Sequence, residues 1–249
     1  MFNFRDCARM TIATAAIAAS TACSMTAPTL QETRELEVQV SGGARLSIDA
    51  GAGSLLLTGE SGADTIRVSA EIYQVEANDD YTLTLETDSE GRVRLISDTG
   101  SGPWSSNDRI NLSIRVPESV ELDIVDGSGS VQVSALTGSL DIEDGSGSIR
   151  ISEIGGNVTI DDGSGSLSAD NVGGNLRIDD GSGSIDVRET GGDVTINDGS
   201  GSITVRNTGG KVTVDDGSGS ISVDGAEDFE LLSDGSGSVS ASNIRSRDS

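Results

Sequence analysis

One pentapeptide, Asp-Gly-Ser-Gly-Ser, begins at Asp126, Asp144, Asp162, Asp180, Asp198, Asp216 and Asp234, seven copies in one constant phase without an insertion. A fixed period of eighteen marks a stacked repeat, in which each unit buries its apolar face only against its neighbours. One unit, residues 155–172, reads GGNVTIDDGSGSLSADNV. Val158 and Ile160 alternate with polar residues, and Leu167 and Ala169 do so beyond the glycines, which is the period of a half-buried strand. The first pair returns as Leu140/Ile142, Leu176/Ile178, Val194/Ile196 and Val212/Val214, the second as Ile149/Ile151, Ile185/Val187, Ile203/Val205 and Ile221/Val223. A softer position closes each unit: Leu136, Ile154, Val172, Thr190, Thr208, Ala226 and Ile244. No stretch has the period or the length of a helix.

Two short strands and two turns in every repeat describe an all-β, single-stranded parallel β-solenoid (β-helix) with 18-residue rungs. A third short strand per rung is expected if the closing position forms a side of its own. Rungs stack about 4.8 Å apart, so equivalent residues form columns. The composition agrees with this. The chain holds only six aromatics, with none between Trp104 and Phe229, as a thin core of interdigitating Val, Ile and Leu requires. The 33 glycines fall four to a full rung within the repeats, at corners where the backbone must turn tightly.

Residues 35–118 carry alternating runs (Leu46/Ile48, Leu55/Leu57, Ile66/Val68, Leu83/Leu85, Val93/Leu95, Ile110/Leu112/Ile114) without the strict period. They are expected to form irregular rungs capping the solenoid of residues 119–249, the two parts making one continuous domain. At the other end, Phe229 and Leu231-Leu232 replace the usual alternation and mark a terminal cap, because an open edge invites pairing with another chain.

Sixteen Lys and Arg against 41 Asp and Glu give a net charge of −25, and the chain has no histidine. Nucleic acid is therefore not an expected partner, and histidine-based acid–base chemistry or zinc ligation is excluded. Residues 1–22 have a secretory layout: Arg5 and Arg9, then the small apolar run TIATAAIAASTA, too short to span a bilayer. Ser20-Thr21-Ala22-Cys23 resembles a bacterial lipobox, although Ser20 stands where leucine is preferred. On that resemblance Cys23 is lipidated and residues 23–34 form anchor and tether; the alternative is an ordinary signal cleaved near Ala22 or Ala27. Cys7 leaves with the signal in either case, so no internal disulfide is available.

The segment Ile110–Pro117, INLSIRVP, leads into runs such as LDIEDGSGSIRI and VTIDDGSGSLSA. Together these residues resemble the bacterial putative adhesin family, β-solenoid domains of largely unknown function, over about residues 36–244. The resemblance implies the solenoid and an adhesin-like role, and it implies no catalytic residues. The family's turn is commonly Ser-Gly-Asp, where this chain has Gly-Ser-Gly-Ser.

The column of seven aspartates is the most suggestive chemistry. Neighbours one rung apart repel by about 0.9 kcal/mol in water and by about 3.5 kcal/mol at an effective dielectric of ~20. Either each carboxylate accepts hydrogen bonds from the amides of its own turn, or the column, with Asp161, Asp179 and Asp215 beside it, holds Ca²⁺ through oxygen ligands. No other cofactor is implied. Basic residues in the repeats are few and scattered, and no inserted loop builds a pocket, so neither an enzyme nor a small-molecule substrate is expected. The irregular loop 98–108 carries Trp104, a candidate recognition residue.

These readings converge on an exported lipoprotein held to the bacterial envelope by its lipid alone, with the outer membrane preferred. It would act as an adhesin-like or structural solenoid whose partner is an envelope or surface component. The alternatives are a periplasmic accessory or envelope-sensing module that binds a partner protein, and a calcium-binding repeat scaffold.

Overall fold

The computed structural model describes residues 11–13, 27–41, 43–100 and 107–245, and every regular element of three or more residues among them is a strand. In chain order the N-terminal strands are β1 (Thr11–Ala13), β2 (Thr29–Gln39), β3 (Arg45–Glu60), β4 (Thr65–Gln74), β5 (Thr82–Thr87), β6 (Val93–Asp98) and β7 (Arg109–Pro117). The repeats begin in β8 (Glu121–Leu136) and continue as short–long pairs: β9 (Leu140–Asp144) with β10 (Gly147–Ile154), β11 (Val158–Asp162) with β12 (Gly165–Val172), and β13 (Leu176–Asp180) with β14 (Gly183–Thr190). Then follow β15 (Val194–Asp198) with β16 (Gly201–Thr208), β17 (Lys211–Asp216) with β18 (Gly219–Ala226), and β19 (Asp228–Asp234) with β20 (Gly237–Ile244).

The fold is a parallel β-solenoid whose regular rungs have two strands each, so the third side does not form. The short strands stack in one sheet, with Val158 opposite Leu140 and Leu176, and Asp162 opposite Asp144 and Asp180. The long strands stack in the other, with Leu167 opposite Ile149 and Ile185. Strict register follows from the period of two, because a slip of one residue would turn every Val and Ile out to solvent. The two inner faces meet in a core of branched aliphatic side chains such as Ile160, Ile178, Val187 and Val205, all at most 1% exposed. Each contributes about 1.5–3 kcal/mol by leaving water. The closing column lies in this core too, from Leu136 at 2% exposure to Ala226 at 0%.

Immediately before each closing residue the backbone enters the left-handed region, at Ala135, Glu153, Asn171, Glu189, Asn207 and Asn243 (φ 53–60°), and at Gly225 (φ 82°). This kink swings the closing side chain inward after the strand's regular alternation has ended. Asn and Gly tolerate the conformation best.

The N-terminal region does not stack in chain order. β3 is a complete rung, bent at residues 50–54, and it lies directly beside β8: Leu46 pairs with Leu122 and Leu55 with Val131. On its other edge β3 receives β6 and β7, also in parallel. Beyond these the direction reverses: β5 pairs antiparallel with β6, β4 with β7, β2 with β4, and β1 with β2. Antiparallel strands at this end break the repeat register. At the opposite end, the last rung is thinly covered. Phe229 packs partly buried on the core, while Leu231, Leu232 and Val239 are 37%, 60% and 40% exposed. A bulge interrupts the pairing of β17 with β19 between Val214 and Asp215.

Candidate functional site: the aspartate corner

Between the short and long strands of each rung the chain turns through Asp-Gly-Ser-Gly. The alternation that sends Val158 and Ile160 inward continues to Asp162, so the aspartate points into the corner while Asp161 faces solvent. Its side chain pins the turn. The Ser164 N–H donates to Asp162 Oδ1 at 3.1 Å. The same bond recurs from Ser146 to Asp144 (3.2 Å), Ser182 to Asp180 (3.1 Å), Ser200 to Asp198 (3.0 Å) and Ser218 to Asp216 (3.0 Å). This is the local Asx-type bond that favours aspartate at the head of a turn. The second glycine of the turn is obligatory. Gly165 has φ of +150°, and a Cβ there would lie 1.7 Å from the carbonyl oxygen of Gly147 in the rung before.

The column is almost dry. Asp126, Asp144, Asp162, Asp180, Asp198 and Asp216 are between 1% and 6% exposed, and the Oδ2 of each is shielded from solvent without a hydrogen-bond partner. Leaving a carboxylate oxygen in this state costs several kcal/mol if it stays charged, against about 1–3 kcal/mol for a neutral unpaired group. Burial pushes Asp126 up to about 7, helped by the charge of Asp144. It pushes Asp162 and Asp198 up to about 6, with the carboxylates of the adjoining rungs adding to the effect. Asp144, Asp180 and Asp216 are raised for the same first reason, partly opposed by the amide bonds they accept. Asp234, in the thinly covered last rung, is partly exposed.

The first rung ends the column. In β3, Ala50 stands opposite Asp126, Gly53 opposite Gly129 and Ser54 opposite Ser130, so AGAGS of residues 50–54 is a degenerate copy of DGSGS. The distance from Ala50 to Asp126 along the chain is not a whole number of repeats, which hid this copy from the repeat count.

The donor set does not suit calcium. Ca²⁺ takes six to eight oxygens, whereas each corner offers one free carboxylate oxygen. Asp161, Asp179 and Asp215 lie on the outer face, across the strand from the column. Among the described residues no three acidic, histidine or cysteine side chains are grouped to hold a metal ion.

Of the other sites expected from sequence, Cys23 and Trp104 lie outside the described residues. Asn107 and Asp108 border a shallow groove of about 460 Å³, lined also by Gly53, Ser54, Arg109, Asn111 and Ser128 among others. Asn111 Oδ1 accepts the Ser54 N–H at 3.1 Å, which ties two lining residues together, and the buried Asp108 accepts the Val75 N–H at 2.8 Å.

The Toastrack DUF4097 family model matches residues 44–248. Among solved structures, a putative adhesin from Bacteroides fragilis is 13% identical, with a TM-score of 0.57 over 85% of this chain and 97% of its own. A putative lipid binding protein from Parabacteroides distasonis is 16% identical, with a TM-score of 0.43 over 84% of this chain and 96% of its own. At these identities the first likeness concerns the fold. Among curated proteins none matches.

Proposed function

The chain belongs to the Toastrack DUF4097 family, and from that premise we propose that it is a cell-envelope lipoprotein, anchored through Cys23, whose acidic solenoid binds or spaces an envelope or surface component without turning over a substrate. The observation that carries this reading is the outer surface of the repeats. Its exposed positions are small, polar or charged residues in register, such as Thr159, Asp161, Arg177 and Asp193, on a frame held by a continuous core. A surface of this kind is polar along its whole length and has no deep pocket, which suits an extended partner better than a compact ligand. The Bacteroides fragilis protein of like fold is described as a putative adhesin, and an adhesin-like role is the form of binding we assign here.

Two measurements test it. A tagged chain should fractionate with membranes, and Cys23→Ala should release it to the soluble fraction. Protease added to intact cells should remove the solenoid if it faces outward. Protection in unbroken cells would instead favour a periplasmic module that docks a partner protein, with the groove lined by Asn107 and Arg109 as the first place to mutate.

A further inference from the structure

The interior of the aspartate corner plays no part in that function, yet it is built with the greatest regularity. Six consecutive rungs hold a carboxyl group at most 6% exposed, its Oδ2 unpartnered and dry. An unpartnered buried oxygen in every rung is a ligand position rather than a turn device, since the Oδ1 bond alone pins the turn.

We propose that the column is a proton-binding site: the folded solenoid holds alternate aspartates, about three of the six, as neutral carboxylic acids under conditions in which the unfolded chain ionises all of them. Each bound proton forms one O–H bond at Oδ2 and comes from solvent during folding. Alternation follows from the register. Asp144, Asp162 and Asp180 face one another directly across adjoining strands, so neutralising one removes the like charge on both sides of it.

The surroundings supply no counter-charge. On the same strands Glu143, Asp161, Asp179 and Asp215 point outward. On the strands beyond the corner, Arg150, Arg188 and Arg206 are exposed; Arg188 and Arg206 pair with Asp186. Arg177 pairs with Asp179, and Lys211 with Asp228 and Glu230. At the N-terminal end the column meets Ala50, and the buried positions that flank each turn, such as Ile160 and Leu167, are aliphatic. The upward displacement of all six carboxyls, described above, supports the same assignment.

The sign is unusual for a protein this acidic. A carboxyl raised on folding contributes stability that is complete below its unfolded value, about 4, and is lost as pH rises through about 6 to 7. Glu32, Asp88 and Asp224 are held low by their hydrogen bonds and act in the opposite sense, but only as pH falls below about 4. Between pH 5 and 8 the column therefore dominates.

The test uses the full chain and does not depend on where in the cell it resides. The melting temperature of the wild type should fall as pH rises from 5 to 8. In Asp162→Asn/Asp198→Asn the side-chain oxygen still accepts the serine amides, and the uncharged amide imitates the protonated acid. This variant should melt about 5 °C or more above wild type at pH 8 and show a flatter pH dependence. A variant that melts below wild type at pH 8, or a wild-type melting temperature that does not fall over this range, overturns the proposal. If the variant does not fold, carboxyl carbon NMR of the wild type decides. Midpoints near 6 to 7 for half of the column support proton binding, and six midpoints near 4 refute it. Calcium that raises the wild-type melting temperature but not that of the variant would also refute it, since the free oxygens would then hold a cation.

Discussion

Each rung has two corners, and they solve one problem in opposite directions. At the Asp-Gly-Ser-Gly corner a side-chain oxygen turns inward and accepts an amide of its own rung, two residues on. At the Gly-Gly corner a side-chain oxygen turns outward and accepts an amide of the next rung: Asn157 from Asn175 (2.9 Å), Asn175 from Asp193 (2.9 Å) and Asp193 from Lys211 (2.8 Å). The outer ladder sits in water, so it changes from Asn to Asp to Lys along its length with little consequence. The inner column is dry from Asp126 to Asp216 and keeps one residue through every copy from Asp126 to Asp234. Both corners hold a glycine with no room for a side chain, at Gly156 as at Gly165, but only the buried one also fixes the residue that carries the oxygen.

The comparison predicts a graded set of effects. Gly165→Ala should be the most damaging of these changes, costing about 4 kcal/mol or more, because the new methyl group would meet the Gly147 carbonyl at 1.7 Å in a backbone region that only glycine occupies cheaply. Gly155→Ala, at the outer corner, places its Cβ 3.2 Å from Thr137 and should cost no more than about 1 kcal/mol. Urea unfolding of the two variants checks the pair, and equal losses would break the distinction between corners. Asn157→Ala removes one exposed acceptor and should cost about 1 kcal/mol, whereas Asp193→Asn keeps the acceptor and should be neutral. Arg188→Ala, which loses only an exposed pairing with Asp186, should fall within about 0.5 kcal/mol of wild type. Calcium and chelator should leave the melting curve where it is, since neither corner gathers enough oxygens for the ion.

Much of this architecture could be read from residue spacing. The constant phase of the repeat fixes the register, and the pairs from Leu140/Ile142 to Ile221/Val223 identify the core sides of both strands. The closing column of Leu136 to Ala226 was visible as well, but not the left-handed residue ahead of it. Ala135, Glu153 and Asn171 share no side-chain chemistry, because the position selects a backbone angle and not a contact. The inward turn of the aspartates was legible in principle: strict alternation from Val158 through Ile160 leads to Asp162. An acidic side chain on the apolar face argues against itself, and only the shielded oxygens of the folded corner make the burial plain. The stacking of β3 on β8 was hidden, since a long irregular stretch from Ser61 to Val120 separates two strands that lie side by side.

That adjacency has a consequence for how the molecule is assembled. In chain order the parallel stack grows from its middle: β3 is made first, the chain then leaves to build β4 to β7 on one flank, and only afterwards returns to lay β8 on the other. Every regular rung is local, needing just the rung before it, but the foundation they rest on is the most distant strand pairing among the described residues. Synthesis must therefore pass Leu136 before the repeats have anything to stand on, after which each added unit has a finished template waiting.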